Sequence, residues 1–285
     1  MSYDPHPLFV IENADCKMRI EHSPATVLSK LAEVRIYGSS DPNYEGIDFQ
    51  TFEHWVSLPS VRSLFGKAIE TFDEFEWYQG SRTSNVTEIN LQKSSVSEED
   101  IARLLSGMGA LKKFTYDYDE RLNTIDGAHI MCILIALREH TGKTLEYLAL
   151  TAHNSRTWCV GGPSLKRFEA LKEARLPCNL YLKDGAAFEG ADDEEDLKEW
   201  LDDIPCLFDL LPATMEKIEF DGELTMISIE SLLYGSASFG DLKGSCVPNL
   251  KKICFHEAIV ETKTMKMMAK AWKDGLRASG INLQL

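Results

Sequence analysis

The sequence predicts an α/β fold assembled by stacking similar strand and helix units, and three observations predict it. One short pattern, apolar-x-x-apolar-x-apolar, occurs twice between Val86 and Asp117, as Val86-Thr-Glu-Ile89-Asn-Leu91 and as Leu111-Lys-Lys-Phe114-Thr-Tyr116. A well-marked helix separates the copies: Ser97-Glu-Glu-Asp100 sets Ser/x/x/acid ahead of Ile101, Leu104, Leu105 and Met108, and Gly107 and Gly109 close it. The first anchors of the two copies lie 25 residues apart, inside the roughly 20 to 29 residue period of leucine-rich repeats.

The pattern recurs along the chain when any large apolar residue is accepted as an anchor. Leu31-Ala-Glu-Val34-Arg-Ile36 ends at Gly38, Leu58-Pro-Ser-Val61-Arg-Ser-Leu64 is a looser copy, and Leu145-Glu-Tyr-Leu148-Ala-Leu150 is the cleanest. Leu171-Lys-Glu-Ala174-Arg-Leu176, Met215-Glu-Lys-Ile218-Glu-Phe220 and Leu250-Lys-Lys-Ile253-Cys-Phe255 follow, and Ile281-Asn-Leu283-Gln-Leu285 offers a last strand. The expectation is one irregular array over 1–285 of about 8 repeats, with strands near 31–37, 61–66, 86–92, 111–117, 145–151, 171–176, 215–221 and 250–256, and a terminal one at 281–285. Successive anchors are 25 to 44 residues apart. Stacked units tolerate this because extra residues project as loops. Insertions are expected near 184–196, leading into the acidic Asp192 to Asp203, and near 235–246, which is small and polar. The competing reading is an ordinary α/β domain whose strands alternate alike by chance.

Helices are expected between the strands. Ile125, Ala128, Met131, Cys132, Ile135 and Ala136 form an apolar stripe ahead of Gly142. Leu197, Trp200, Leu201 and Ile204 form another, interrupted at Pro205, with Leu207 to Leu211 resuming before Pro212. Thr225 to Tyr234 and Thr262 to Ala278 look similar, the second with Met265, Met268, Ala269, Trp272 and Leu276 as core packing.

Strand and helix alternating at this period imply a solenoid, or horseshoe, with parallel strands on the concave face and helices on the convex one. The anchors of each strand point inward, so the residues between them face the concave surface. That surface is the expected partner-binding site: Glu33, Arg35 and Tyr37; Glu88, Asn90 and Gln92; Lys113, Thr115 and Asp117; Tyr147, Ala149 and Thr151; Glu173 and Arg175; Lys217, Glu219 and Asp221; Lys252, Cys254 and His256. Both charge signs mixed with tyrosines suit a polar protein surface better than a polyanion. For any single residue the alternative is a merely solvated strand face.

Composition narrows the partners. With 45 acidic against 30 basic residues the formal charge is −15, which argues against nucleic acid or an anionic membrane, since both select for Lys/Arg excess. The 7 cysteines are scattered without a C-x-x-C pair and read as reduced thiols. Met-Ser-Tyr-Asp-Pro-His-Pro lacks the basic and apolar regions of a signal peptide, and no stretch reaches the roughly 18 apolar residues of a membrane span. A cytosolic or nuclear protein is expected, with the Asn85-Val86-Thr87 acceptor sequence unmodified.

Several phrases carry a resemblance to a known family: Leu58-Pro-Ser-Val-Arg-Ser-Leu64, Phe75-Glu-Trp77 leading into Ser84-Asn-Val-Thr-Glu-Ile-Asn-Leu91, and Leu104-Leu-Ser-Gly-Met-Gly-Ala-Leu-Lys-Lys-Phe-Thr-Tyr-Asp-Tyr118. Thr144-Leu-Glu-Tyr-Leu-Ala-Leu150 and Leu211-Pro-Ala-Thr-Met-Glu-Lys-Ile218 point the same way. Over nearly its whole length the chain resembles the degenerate leucine-rich-repeat region of fungal F-box proteins. The resemblance implies a receptor that holds a target with the repeat arc and presents it to a cullin-based ubiquitin ligase through an F-box bound to a Skp-type adaptor. An F-box would be a three-helix segment opening with Leu-Pro, and residues 1–57 contain no such pattern; Leu58-Pro59 and Leu211-Pro212 both run into predicted strands.

Catalytic patterns are weak. Thr141-Gly-Lys-Thr144 ends like a phosphate-binding loop, but Leu137 stands where that loop needs Gly, and the tetrapeptide follows a helix instead of opening one. Gly161-Gly-Pro-Ser164 reads as a turn. His129 and Cys132 share a helical face without a second ligand pair, so a packed core His and Cys are expected. Cys254 and His256 lie two apart on one strand, the basis for an alternative reading as a hydrolase or transferase with a Cys/His or carboxylate site. The run Asp192 to Asp196 reads as a solvated loop. No catalytic residue, metal or cofactor is called for, and the leading expectation is a non-enzymatic scaffold that binds another protein.

Overall fold

The computed structural model describes residues 8–12, 31–38, 47–71, 83–118, 127–151, 164–181, 207–222, 229, 233, 247–256 and 263–285. Its strands are β1 (Leu8–Glu12), β2 (Glu33–Tyr37), β3 (Ile47–Asp48), β4 (Ser63–Lys67), β5 (Ile69–Glu70), β6 (Glu88–Ser94), β7 (Lys113–Tyr118), β8 (Tyr147–Thr151), β9 (Glu173–Pro177), β10 (Lys217–Asp221), β11 (Lys252–Phe255) and β12 (Asn282–Gln284). The helices are α1 (Thr51–Val56), α2 (Glu98–Ser106), α3 (Gly127–Thr141), the single turn α4 (Leu207–Leu210) and α5 (Lys263–Ala278). Among the described residues, 10 strands form one sheet in the order β1-β2-β4-β6-β7-β8-β9-β10-β11-β12, and β3 pairs with β5 separately. Every pairing in the large sheet is parallel. The protein is thus α/β with a large parallel sheet, and each new strand is laid beside the one before it in the chain.

From β2 to β11, each strand of this sheet begins two residues after the first anchor of its sequence pattern. The reason is a turn. At four strands the N–H of the first anchor bonds back three residues, Val61 to the Leu58 carbonyl (3.2 Å), Leu111 to Met108 (3.2 Å), Met215 to Pro212 (3.0 Å) and Leu250 to Val247 (3.1 Å), while Leu145 bonds back four residues to Thr141 (2.9 Å) and Val86 donates to Ser84 Oγ (3.2 Å). The ladder is joined only afterwards. This geometry also explains the looser copy at 58–64: Leu58 opens the turn, Val61 and Leu64 are the first and second anchors, and Gly66 fills the third position.

Second and third anchors alternate with polar residues, so one face of the sheet is apolar. Val34, Ile36, Leu64, Ile89, Leu91, Phe114, Leu148, Leu150, Ile218 and Ile253 join one continuous core with residues of α2, α3 and α5. Phe220 stacks on Phe255 at 5.2 Å within it, and Tyr181 meets Phe220 edge-on at 5.8 Å. Helix α2 starts where the sequence pattern places it: the Asp100 N–H donates to Ser97 Oγ (3.2 Å), and Thr71 Oγ1 donates to Asp100 Oδ2 (2.8 Å), tying the helix start to the chain leaving β5.

Two expectations about helices need correction or restriction. In α3 the buried residues are Ile130, Ile133, Leu134, Ala136, Leu137 and Thr141, so of the expected stripe Ala136 is buried, whereas Met131 is half-buried, Cys132 is exposed and Ile135 is 40% exposed, and Ile125 lies outside the described residues. The segment Ala128 to Leu137 is apolar nearly all round, so periodicity alone leaves its phase undetermined. In α5, by contrast, Ala269 and Leu276 are buried and Met265, Met268 and Trp272 pack on the core. The expected helix at 197–204, the insertions at 184–196 and 235–246, and the Gly161-Gly-Pro163 turn lie outside the described residues. So does most of 225–234, of which Ile229 and Leu233 are helical and buried. Among the described residues no helix is long and apolar enough to cross a membrane.

Candidate functional site

The other face of the sheet is polar, and strand register arranges it in rows. One row runs Glu33, Ser63, Glu88, Lys113, Tyr147, Glu173, Lys217, Lys252, Asn282; the next runs Arg35, Phe65, Asn90, Thr115, Ala149, Arg175, Glu219, Cys254, Gln284. Tyr37, Lys67 and Gln92 begin a third, and Asp117 stands beside Thr151. Every site residue expected from the sequence lies on these rows except Asp221, which ends β10 in register with Pro177, and His256, which follows β11 directly and donates its N–H to the Phe220 carbonyl (2.9 Å). Most are half-buried; Lys113, Glu173 and His256 are exposed, whereas Ala149 and Cys254 are buried between their neighbours and offer little to a partner.

Hydrogen bonds fix many of these side chains. Arg175 makes a two-pronged contact with Asp221 across the strand pair, Nε to Oδ2 at 2.6 Å and Nη2 to Oδ1 at 2.9 Å. That bond, with the charges of Asp221 and Glu219, raises the guanidinium pKa further. Lys217 Nζ lies 2.8 Å from Glu219 Oε1, and His256 Nε2 lies 3.8 Å from the same oxygen. Burial pushes the Glu219 carboxyl up, but the hydrogen bond from Lys217 and the surrounding positive charge outweigh it and hold the group below its ordinary range. Thr151 Oγ1 donates to Asp117 Oδ1 at 2.9 Å. At the β2 end, Arg35 Nε lies 2.6 Å from Glu33 Oε1 and its guanidinium carbon 5.7 Å from the Phe65 ring centroid; the Tyr37 and Phe65 rings are 5.2 Å apart.

Charge on the face is balanced. From β2 onward Glu33, Glu88, Asp117, Glu173, Glu219 and Asp221 oppose Arg35, Lys67, Lys113, Arg175, Lys217 and Lys252, and Glu12 of β1 stands in register with Tyr37, in a chain whose formal charge is −15. These strand positions thus carry little of the chain's acid excess. Such a surface can form many directional bonds without repelling either charge sign.

The patterns weighed for catalysis take ordinary places. Thr141 ends α3, its Oγ1 donating to the Leu137 carbonyl (2.7 Å), so Thr141 to Thr144 closes a helix. His129 Nδ1 lies 2.9 Å from Glu98 Oε2, joining α3 to the start of α2, while Cys132 points away from the core. The Cys254 Sγ contacts Gln284 Oε1 at 3.3 Å, and burial pushes its thiol pKa up, the opposite of what a thiolate nucleophile needs. Among the described residues no group of three or more His, Cys, Asp or Glu side chains could hold a metal ion.

Two features escape the sequence pattern. Phe65 and Lys67 belong to the face but follow the irregular copy at 58–64. An ion ladder along the margin where strands begin is the second: Glu146 lies between Lys112 (3.3 Å) and Lys172 (2.8 Å), and Glu216 bonds Lys251 at 2.6 Å. Each residue directly follows a first anchor, and the backbones of these positions are linked in turn. That shared offset was the available signal. No protein-family model matches the chain, and no curated protein matches it.

Proposed function

We propose that the protein is a non-enzymatic recognition scaffold, a leucine-rich-repeat solenoid that binds another protein through the polar sheet face as its concave surface. Strand order is the observation that carries this reading. Ten parallel strands follow one another in chain order among the described residues, with a turn before most of them and a polar row on one side, as expected of stacked supersecondary units. The balanced, hydrogen-bonded face supports protein recognition, because side chains already held in place lose less freedom on binding.

The resemblance to the repeat region of fungal F-box proteins extends the proposal to a substrate receptor for a cullin-based ubiquitin ligase, with a Skp-type adaptor as second partner. The alternative of a hydrolase or transferase built on Cys254 and His256 is weakened by the burial of the thiol, which pushes its pKa up, away from what a thiolate nucleophile needs.

Affinity purification of the tagged chain from a fungal extract, with Tyr147→Ala/Arg175→Ala as control, tests the proposal. Proteins retained by the native chain and lost by the folded variant are expected. A Skp-type adaptor and cullin among them would support the ligase role, and one stoichiometric partner without them would leave a repeat-only binding module. Equal recovery on both chains contradicts the assignment of the face.

A further inference from the structure

We draw no further inference here: the strongest candidate, the outward side of α3 around Met131, Cys132 and Ile135, is an apolar patch of a few side chains, and nothing in the structure shows what covers it.

Discussion

Replacing Tyr116 by Phe removes one oxygen and tests how α2 is locked to the sheet. The phenol is buried in β7 and serves Val96 twice, accepting from its N–H at 3.1 Å and donating to its carbonyl at 3.3 Å. Val96, at 1% exposure, lies just before the Ser97 cap of α2. Without the hydroxyl, a buried backbone donor and acceptor lose their partner. Two neutral hydrogen bonds at about 1 kcal/mol each give a loss of about 2 kcal/mol, equivalent to a fall of about 4 °C in melting temperature for a chain of this size. Urea titration followed by circular dichroism measures it as a lower midpoint at unchanged slope. Burial also holds the phenol pKa above its ordinary value. The native side chain therefore stays neutral in the fold, and its contribution is complete below about pH 10 and declines above it, as the unfolded phenol ionises first. A midpoint equal to that of the native protein at pH 7 would refute the reasoning, because no other change accompanies the substitution.

Other substitutions probe the remaining parts of the account. Lys93 has φ of 46°, so Lys93→Gly should relieve left-handed backbone cost and raise stability by about 0.5 kcal/mol after the entropy penalty of glycine, read by thermal melting. Gly222 has φ of 107°, and a Cβ there would lie 2.9 Å from Cys178 Sγ, so Gly222→Ala should lower stability by about 1 to 2 kcal/mol in the same assay. Glu146 and Glu216 are held below the ordinary carboxylate range by hydrogen bonds from Lys172 and Lys251 respectively. Their contribution is present above the unfolded pKa and lost as pH falls through the folded one, so Glu146→Gln/Glu216→Gln should flatten the decline in melting temperature below about pH 4.3; both groups are exposed, so the effect is small. Iodoacetamide labelling at pH 8, mapped by mass spectrometry, should modify exposed Cys132 well before buried Cys254, and the reverse order would revive a thiol-based site.

The strands were legible in the sequence because their anchors repeat in kind and spacing, and the face followed from period-two alternation. Their starts were displaced because a first anchor closes a turn, a backbone feature that apolarity does not reveal. Gly66 loosened one copy by carrying no side chain in the third anchor position. Strand β1, Leu-Phe-Val-Ile-Glu, carries no repeat pattern that would mark it in the sequence. In α3, apolar residues on nearly every side erased the helical phase, whereas the mixed face of α5 kept it visible. Phe65 and the Lys112–Glu146–Lys172 ladder needed register, because they are neighbours only once Phe65 pairs with Asn90 and Lys113 with Tyr147. At Arg175 and Asp221, 46 positions apart in the chain, the same limit applies.

The central claim is that the polar sheet face, and not the helical side, holds the partner. Titration of a purified partner against the native chain, Tyr147→Ala/Arg175→Ala and Met267→Lys tests it most directly. Met267, 66% exposed on α5, controls for a surface change away from the face. The account predicts affinity at least about tenfold lower for the double variant and unchanged for Met267→Lys. Undiminished binding by the double variant, or loss with Met267→Lys alone, would contradict it.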